Sequence, residues 1–262
     1  MARESLHRLS NKEALNSLVF TDDLWASSGE MAGYDVIHKF GHNLDVNGAF
    51  ETIWSVGNNY SYLSAATVLK ISSSDVNDTS AGTGARTVFV QGLDSNYNQL
   101  EETVTLNGQT AVDTTNSFIR VFRMVVLTAG SGKKNDGIIY AGTGTITAGV
   151  PANKYASIPI GYNQTMMAVY TIPAKKTAYM TTFYCQPDSQ ASFQVQLLSG
   201  SAETGIMRVR NELHGFQNNA KFEYRPYLKI DEKVDLELRA SVGTANTEFS
   251  GGFSIILVGN KG

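Results

Sequence analysis

The sequence predicts an all-β protein: two β-sandwich (jelly-roll-like) domains preceded by an extended N-terminal arm with a short helix. Three observations carry that expectation. From about residue 46 onward, apolar residues recur with period two in short runs, and no helix-length amphipathic pattern appears. Clusters of Gly, Asn, Asp and Ser separate these runs at roughly 8–12-residue spacing, the rhythm of a sandwich or barrel. Charged residues are only 17% of the chain, below the roughly 25% of typical soluble domains. The surface must therefore rely on Ser, Thr, Asn, Gln and Gly.

A length of 262 residues, set against roughly 150 per domain, suits two sandwiches. We place an arm at 1–45, a first sandwich at 46–150 and a second at 151–262. In the arm, Asn11–Leu18 holds good helix formers behind a Ser10 or Asn11 cap. Phe20, Leu24, Trp25, Met31 and Tyr34 follow at spacings that fit neither a helix nor a strand. Large apolar residues without regular structure need a surface, either their own sandwich or a neighbouring subunit. These five are the candidate partner-binding residues.

In the first sandwich the expected strands are Ala66–Ile71, Thr87–Gln91, Glu101–Leu106, Phe118–Leu127, Gly137–Tyr140 and Thr145–Ala148. The run Ile119–Leu127 is almost continuously apolar after Arg123, which predicts a central strand covered on both faces. Pro151–Tyr162 holds two of the chain's five prolines and reads as the connection between domains. The second sandwich opens with Met167–Ile172, a turn at Pro173–Lys176 and a partner strand Thr177–Gln186. Phe193–Leu198, Met207–Arg210, Lys221–Tyr224, Val234–Ala240 and Phe253–Val258 follow. In Val234–Ala240, Val234, Leu236, Leu238 and Ala240 predict a core face, and Asp235, Glu237 and Arg239 a wet one. The last strand is apolar on both faces, so it is expected to be central or covered by a partner.

Charge and cysteine content exclude several functions. A net charge of −3 argues against a general nucleic-acid binder, which carries a basic face. Arg120 and Arg123 are too few for a patch. The single cysteine, Cys185, permits neither an internal disulfide nor a thiolate zinc site. Its strand context fits a small apolar residue better than a nucleophile. No run approaches the roughly 18 apolar residues of a membrane span, and the first residues lack the apolar core of a secretory signal.

Candidate chemistry is sparse. Ala81–Arg86 and Ala141–Gly149 are glycine-rich, but β-forming residues follow each and the third glycine of a dinucleotide fingerprint is missing. Tight turns explain them. His38 and His42 would share a metal only on a helix, which Gly41 weakens, and no third ligand is evident. Asp75, Asn77 and Asp78 supply too few ordered oxygens for a calcium loop. Glu101 and Glu102 sit on opposite faces of a strand and cannot converge as acid and base. The expectation is a non-enzymatic protein with no catalytic, metal or cofactor site.

The run DTSAGTGARTVFVQGLDSNYNQLEETVTLNG (78–108) resembles a recurrent segment of virion structural proteins from tailed bacteriophages of marine or cyanophage type. IHKFGHNLDV, FETIWSVG, SFIRVFRMVVLTAGSG, MMAVYTIPAKKTAYMTTFY and DEKVDLELRA resemble further landmarks of that group. The resemblance implies a capsid decoration (cement) protein or, alternatively, a neck or tail adaptor. Its partners would be the major capsid protein or neck and tail proteins, and it would act in the virion as a homo-oligomer, with a trimer expected. A third expectation is a host-surface glycan-binding module using polar loops and an exposed Tyr97.

Overall fold

The computed structural model describes Ser27 and residues 33–260, apart from 189, 217 and 245. Sixteen strands occur among them. In chain order they are β1 (Tyr34–Val46), β2 (Glu51–Thr52), β3 (Thr67–Ser73), β4 (Ala85–Leu93), β5 (Gln99–Thr105), β6 (Val112–Phe118), β7 (Arg120–Ala129) and β8 (Ile139–Thr147). Then come β9 (Val150–Ile158), β10 (Val169–Thr171), β11 (Lys176–Pro187), β12 (Ser192–Ser201), β13 (Met207–Phe216), β14 (Ala220–Ile230), β15 (Val234–Val242) and β16 (Thr247–Gly259). Among the described residues from 33 to 260 no helix occurs. The helix expected at 11–18 lies outside the described residues.

The strands form four antiparallel sheets. Two combine the ends of the chain: β1-β16-β11-β14, and β10-β15-β12-β13 with β2 also paired to β15. Their shared hydrophobic cluster includes Phe183, Phe193, Phe249, Phe253, Leu236 and Leu238. The local code is plain in β12, where Phe193, Val195 and Leu197 are buried and Ser192 and Gln194 are exposed. The other two sheets, β6-β3-β8-β9 and β5-β4-β7, come from the middle of the chain. They supply most of a second cluster with Leu69, Ile71, Val88, Val90, Phe118 and Met124. Fully burying one such side chain contributes about 1.5–3 kcal/mol.

The middle sheets interrupt one strand position. Glu51 and Thr52 pair with Ala240 and Arg239, and Val169, Tyr170 and Thr171 continue the same track opposite Glu237, Leu236 and Asp235. Leu238 lies between the two halves. Its carbonyl accepts from the Ile53 N–H at 2.9 Å and its N–H donates to the Ala168 carbonyl at 3.1 Å. Trp54 bridges to Met167 where the chain departs and returns. Residues 54–167 thus leave and rejoin the β15 edge at a single position.

The all-β expectation holds, but the strands do not form two sandwiches in succession. Residues 34–45, read as part of an arm, belong to β1, which pairs with β16 at the far end of the described chain. Pro151–Tyr162 is not wholly a connection, because Val150–Ile158 is β9, hairpinned to β8. Ala148 and Gly149 make that turn with φ of 47° and 77°, the left-handed pair of a two-residue hairpin. A Cβ on Gly149 would lie 1.8 Å from the Ser73 carbonyl oxygen. Pro151 is tolerated because β9 ends its sheet. The expected strand Phe118–Leu127 splits into the last residue of β6 and most of β7, and β7, expected to be central, ends the sheet β5-β4-β7. Residues 163–165 cover its outer side, with Val126 N–H donating to Asn163. The last strand, β16, is central, between β1 and β11.

Candidate functional site

The densest polar constellation lies where residues 54–167 rejoin the β15 sheet. Asp235 and Glu237, expected on a wet face, are 2% and 0% exposed. Their side chains do point away from Leu236 and Leu238, but the middle segment covers them. Arg120, at the start of β7, donates from Nε and Nη2 to the two Asp235 oxygens, each at 2.9 Å. Its Nη1 donates to the carbonyls of Leu63 and Ile119, both at 2.8 Å. Thr171 Oγ1 adds a hydrogen bond to Asp235 at 2.6 Å. The guanidinium lies 4.9 Å from the Tyr62 ring centroid and 5.8 Å from that of Tyr97. Burial alone would lower the Arg120 pKa, and the hydrogen bonds and charge of the Asp235 carboxylate more than offset it, so the guanidinium is held above its ordinary range.

Glu237 is held by the same region. It accepts from Thr52 Oγ1, from Tyr62 OH at 3.2 Å and from Arg239 Nε at 2.7 Å. Burial first, then the Glu237 charge, pushes the Tyr62 hydroxyl well above its ordinary range. Nearby, Lys39 of β1 reaches across to the Phe122 carbonyl of β7. Burial, helped by Arg123, lowers its pKa from 10.5 to about 7. Phe122 and Tyr170 close the contact with ring centroids 4.6 Å apart. Chemically this is a buried ionic latch between two parts of the chain. It holds a neutral tyrosine and matched charges, and presents no activated nucleophile.

A second buried carboxylate organises the far loops of the middle segment. Asp78 is fully buried. It accepts from Ser73 Oγ at 2.6 Å and from the N–H groups of Ala85 at 2.7 Å, Asp136 at 2.9 Å and Gly137 at 2.8 Å. Four donors on one carboxylate join the loops after β3, before β4 and before β8. Sequence reasoning considered Asp75, Asn77 and Asp78 for calcium. Asp75 instead closes a local turn by accepting the Asn77 N–H at 2.7 Å.

The other singled-out residues do not converge. His38 and His42 lie on a strand, where a spacing of four residues is roughly 13 Å. They meet Ser254 at 2.9 Å and Glu248 at 3.5 Å respectively. Glu101 accepts from Gln91, whereas Glu102 caps the N–H groups of Thr115 and Asn116. Cys185 is buried, and burial pushes its thiol up to about 12. Tyr97, expected to be exposed, is half-buried against the Arg120 cluster with its φ at +65°. Phe20, Leu24, Trp25 and Met31 lie outside the described residues. Tyr34 is half-buried in β1, opposite Val258. Among the described residues no group of three or more His, Cys, Asp or Glu surrounds a metal-sized space, and no helix is long and apolar enough to cross a membrane.

Sequence reasoning missed Arg120, Asp235, Glu237 and Asp78 as buried groups. Their one sequence signal was the alternation in Val234–Ala240, which tells which residues share a face but not what covers it.

No family model and no curated protein matches the sequence. Two solved structures show a weak likeness. "Structure of infectious bursal disease virus Gt strain" is 11% identical, covers 87% of this chain and 73% of its own, and has a TM-score of 0.26. "Structure of infectious bursal disease virus Gx strain" is 12% identical, covers 87% and 72%, and has the same TM-score. A likeness at that level transfers neither fold nor role.

Proposed function

We propose that this chain is a non-enzymatic structural component of a tailed-phage virion, a decoration protein that reinforces the capsid from outside. The observation that carries the proposal is strand order. Counting β2 and β10 as one interrupted strand, the first pair of sheets holds eight strands ordered 1-8-3-6 and 2-7-4-5. That is the order of a jelly roll, an architecture used by viral shell and lectin domains. Each pair of sheets is then a sandwich with its own hydrophobic cluster, and the second is nested within a strand of the first.

Architecture alone does not fix a role. The landmark segments that resemble phage virion proteins favour shell over lectin. They fall on the architecture's working parts: DEKVDLELRA holds Asp235 and Glu237, SFIRVFRMVVLTAGSG holds Arg120, and the 78–108 run begins at Asp78. The chemistry supports a load-carrying part, since these charged groups are spent on internal cohesion. The partner is the major capsid protein, and the subunit acts as a symmetric homo-oligomer, a trimer. Particles purified without this chain should bind the added protein saturably and then withstand a higher temperature before releasing DNA. Particles that bind none of it would overturn the proposal.

A further inference from the structure

The outer face of the β10-β15-β12-β13 sheet is covered only in part. The middle segment buries Asp235 and Glu237, but across β12 and β13 the outward residues Ser192, Gln194, His214 and Phe216 are exposed. Register sets them in three rows across β13, β12 and β15. Phe216 and Ser192 sit beside Gly243, His214 and Gln194 beside Ser241, and Glu212 and Gln196 beside Arg239. The array spans about 10 Å across the strands and about 14 Å along them, the footprint of a short saccharide.

A groove of about 320 Å³ lies over this face, lined by Ser192, Gln194, His214 and Ser241, with Gly48 and Gly243 at its end. That is the lower range of small-ligand sites, about 300–1,000 Å³. Neighbours fix the polar groups in place. Gln196 Nε2 donates to Glu212 at 2.6 Å, and His214 Nε2 lies 2.7 Å from the other Glu212 oxygen. Ser241 Oγ donates to the Gly48 carbonyl at 2.9 Å. Arg239 turns back to Glu237 at 2.7 Å. His214 is the one titratable side chain among the described residues that line the groove. Phe216, opposite Ser192, stands beside it and is 60% exposed.

We propose that this face binds a neutral saccharide, with its hydroxyls read by Ser192, Gln194, His214 and Ser241 and one sugar face stacked on Phe216. Amide, hydroxyl and neutral imidazole groups each both donate and accept, which matches sugar hydroxyls. The charges around the groove are matched within the sheet, so none is left to select an anionic or cationic ligand. An extended peptide would instead add a strand at the β13 edge, through backbone groups and not these side chains. The site is separate from Tyr97, which packs against Arg120, and it does not depend on the virion role.

The test is an amide NMR titration of the full chain with neutral oligosaccharides of glucose, mannose, galactose and N-acetylglucosamine, beside sialylated and phosphorylated sugars and a pool of extended peptides. At least one neutral sugar should give saturable shifts centred on Gln194, His214, Gly215 and Ser241. Phe216→Ala should weaken that binding about five-fold through the lost ring, and Gln194→Ala about as much through lost hydrogen bonds, with both spectra staying dispersed. No saturable shift with any neutral sugar would overturn the proposal. So would shifts centred elsewhere or unchanged affinity in both variants. Binding confined to the anionic sugars or to the peptides would overturn it as well, and would assign the face to that other ligand.

Discussion

Removing the Arg120 guanidinium would leave the Asp235 carboxylate buried with Thr171 as its remaining described hydrogen-bond donor. Arg120→Leu should therefore lower unfolding free energy by about 3–5 kcal/mol, read from denaturant melts. Arg120→Leu combined with Asp235→Leu should recover much of that loss, because the cost lies in the orphaned charge. A double variant as unstable as the sum of the singles would contradict this. Asp78→Ala strands three backbone N–H groups at about 1–3 kcal/mol each, so it should cost more than about 3 kcal/mol. Lys39 gives a pH signature. Its folded pKa of about 7 lies below the ordinary 10.5, so between these values the unfolded chain holds more protons. Stability should rise with pH from 7 towards 10.5, and the burial cost should be complete below 7. Lys39→Met should raise the melting temperature at pH 6 and flatten that rise. None of these three groups was legible as buried in the sequence. Arg120 and Asp235 are 115 positions apart, and alternation encodes a face without its cover.

At the scale of elements, legibility followed how cleanly each strand separates its faces. In β12 and β15 alternation located the strand. In β1 the outer side carries Val36 and Phe40 while the inner side carries Lys39, Gly41 and Asn43, so period two is scrambled. Its inner polar residues are satisfied by distant segments, as when Lys39 meets Phe122 and Asn43 meets the Thr52 carbonyl at 3.2 Å. The interrupted strand makes a sharp prediction. Joining Ile53 directly to Val169 restores one continuous strand: Thr52 stays opposite Arg239, Ile53 takes the place opposite Leu238, and Val169 stays opposite Glu237. The excised eight-strand unit should fold cooperatively with lower stability, since it loses Ile119 and Phe122 from its cluster. Its Asp235 and Glu237 would return to water, where carboxylates carry no burial cost. A chain without cooperative unfolding or dispersed amide resonances would show that the two units are one folding body.

For the whole molecule, the pairing of β1 with β16 ties the two ends of the described chain together, as in Tyr34 opposite Val258. No sequence pattern announces such a pairing, and closure over that separation predicts slow folding relative to helical proteins of similar size. The nested arrangement suits a part that must resist force, because the middle unit is held by a two-stranded neck and a buried ionic latch. The most direct test of the proposed role is copy number per purified particle, by quantitative mass spectrometry against the major capsid protein. Stoichiometry comparable with the major capsid protein is the predicted result and fits a shell decoration. A few copies matching a portal or tail ring would move the chain to the neck or tail, against the placement proposed above. Absence from the particle would contradict the virion role itself.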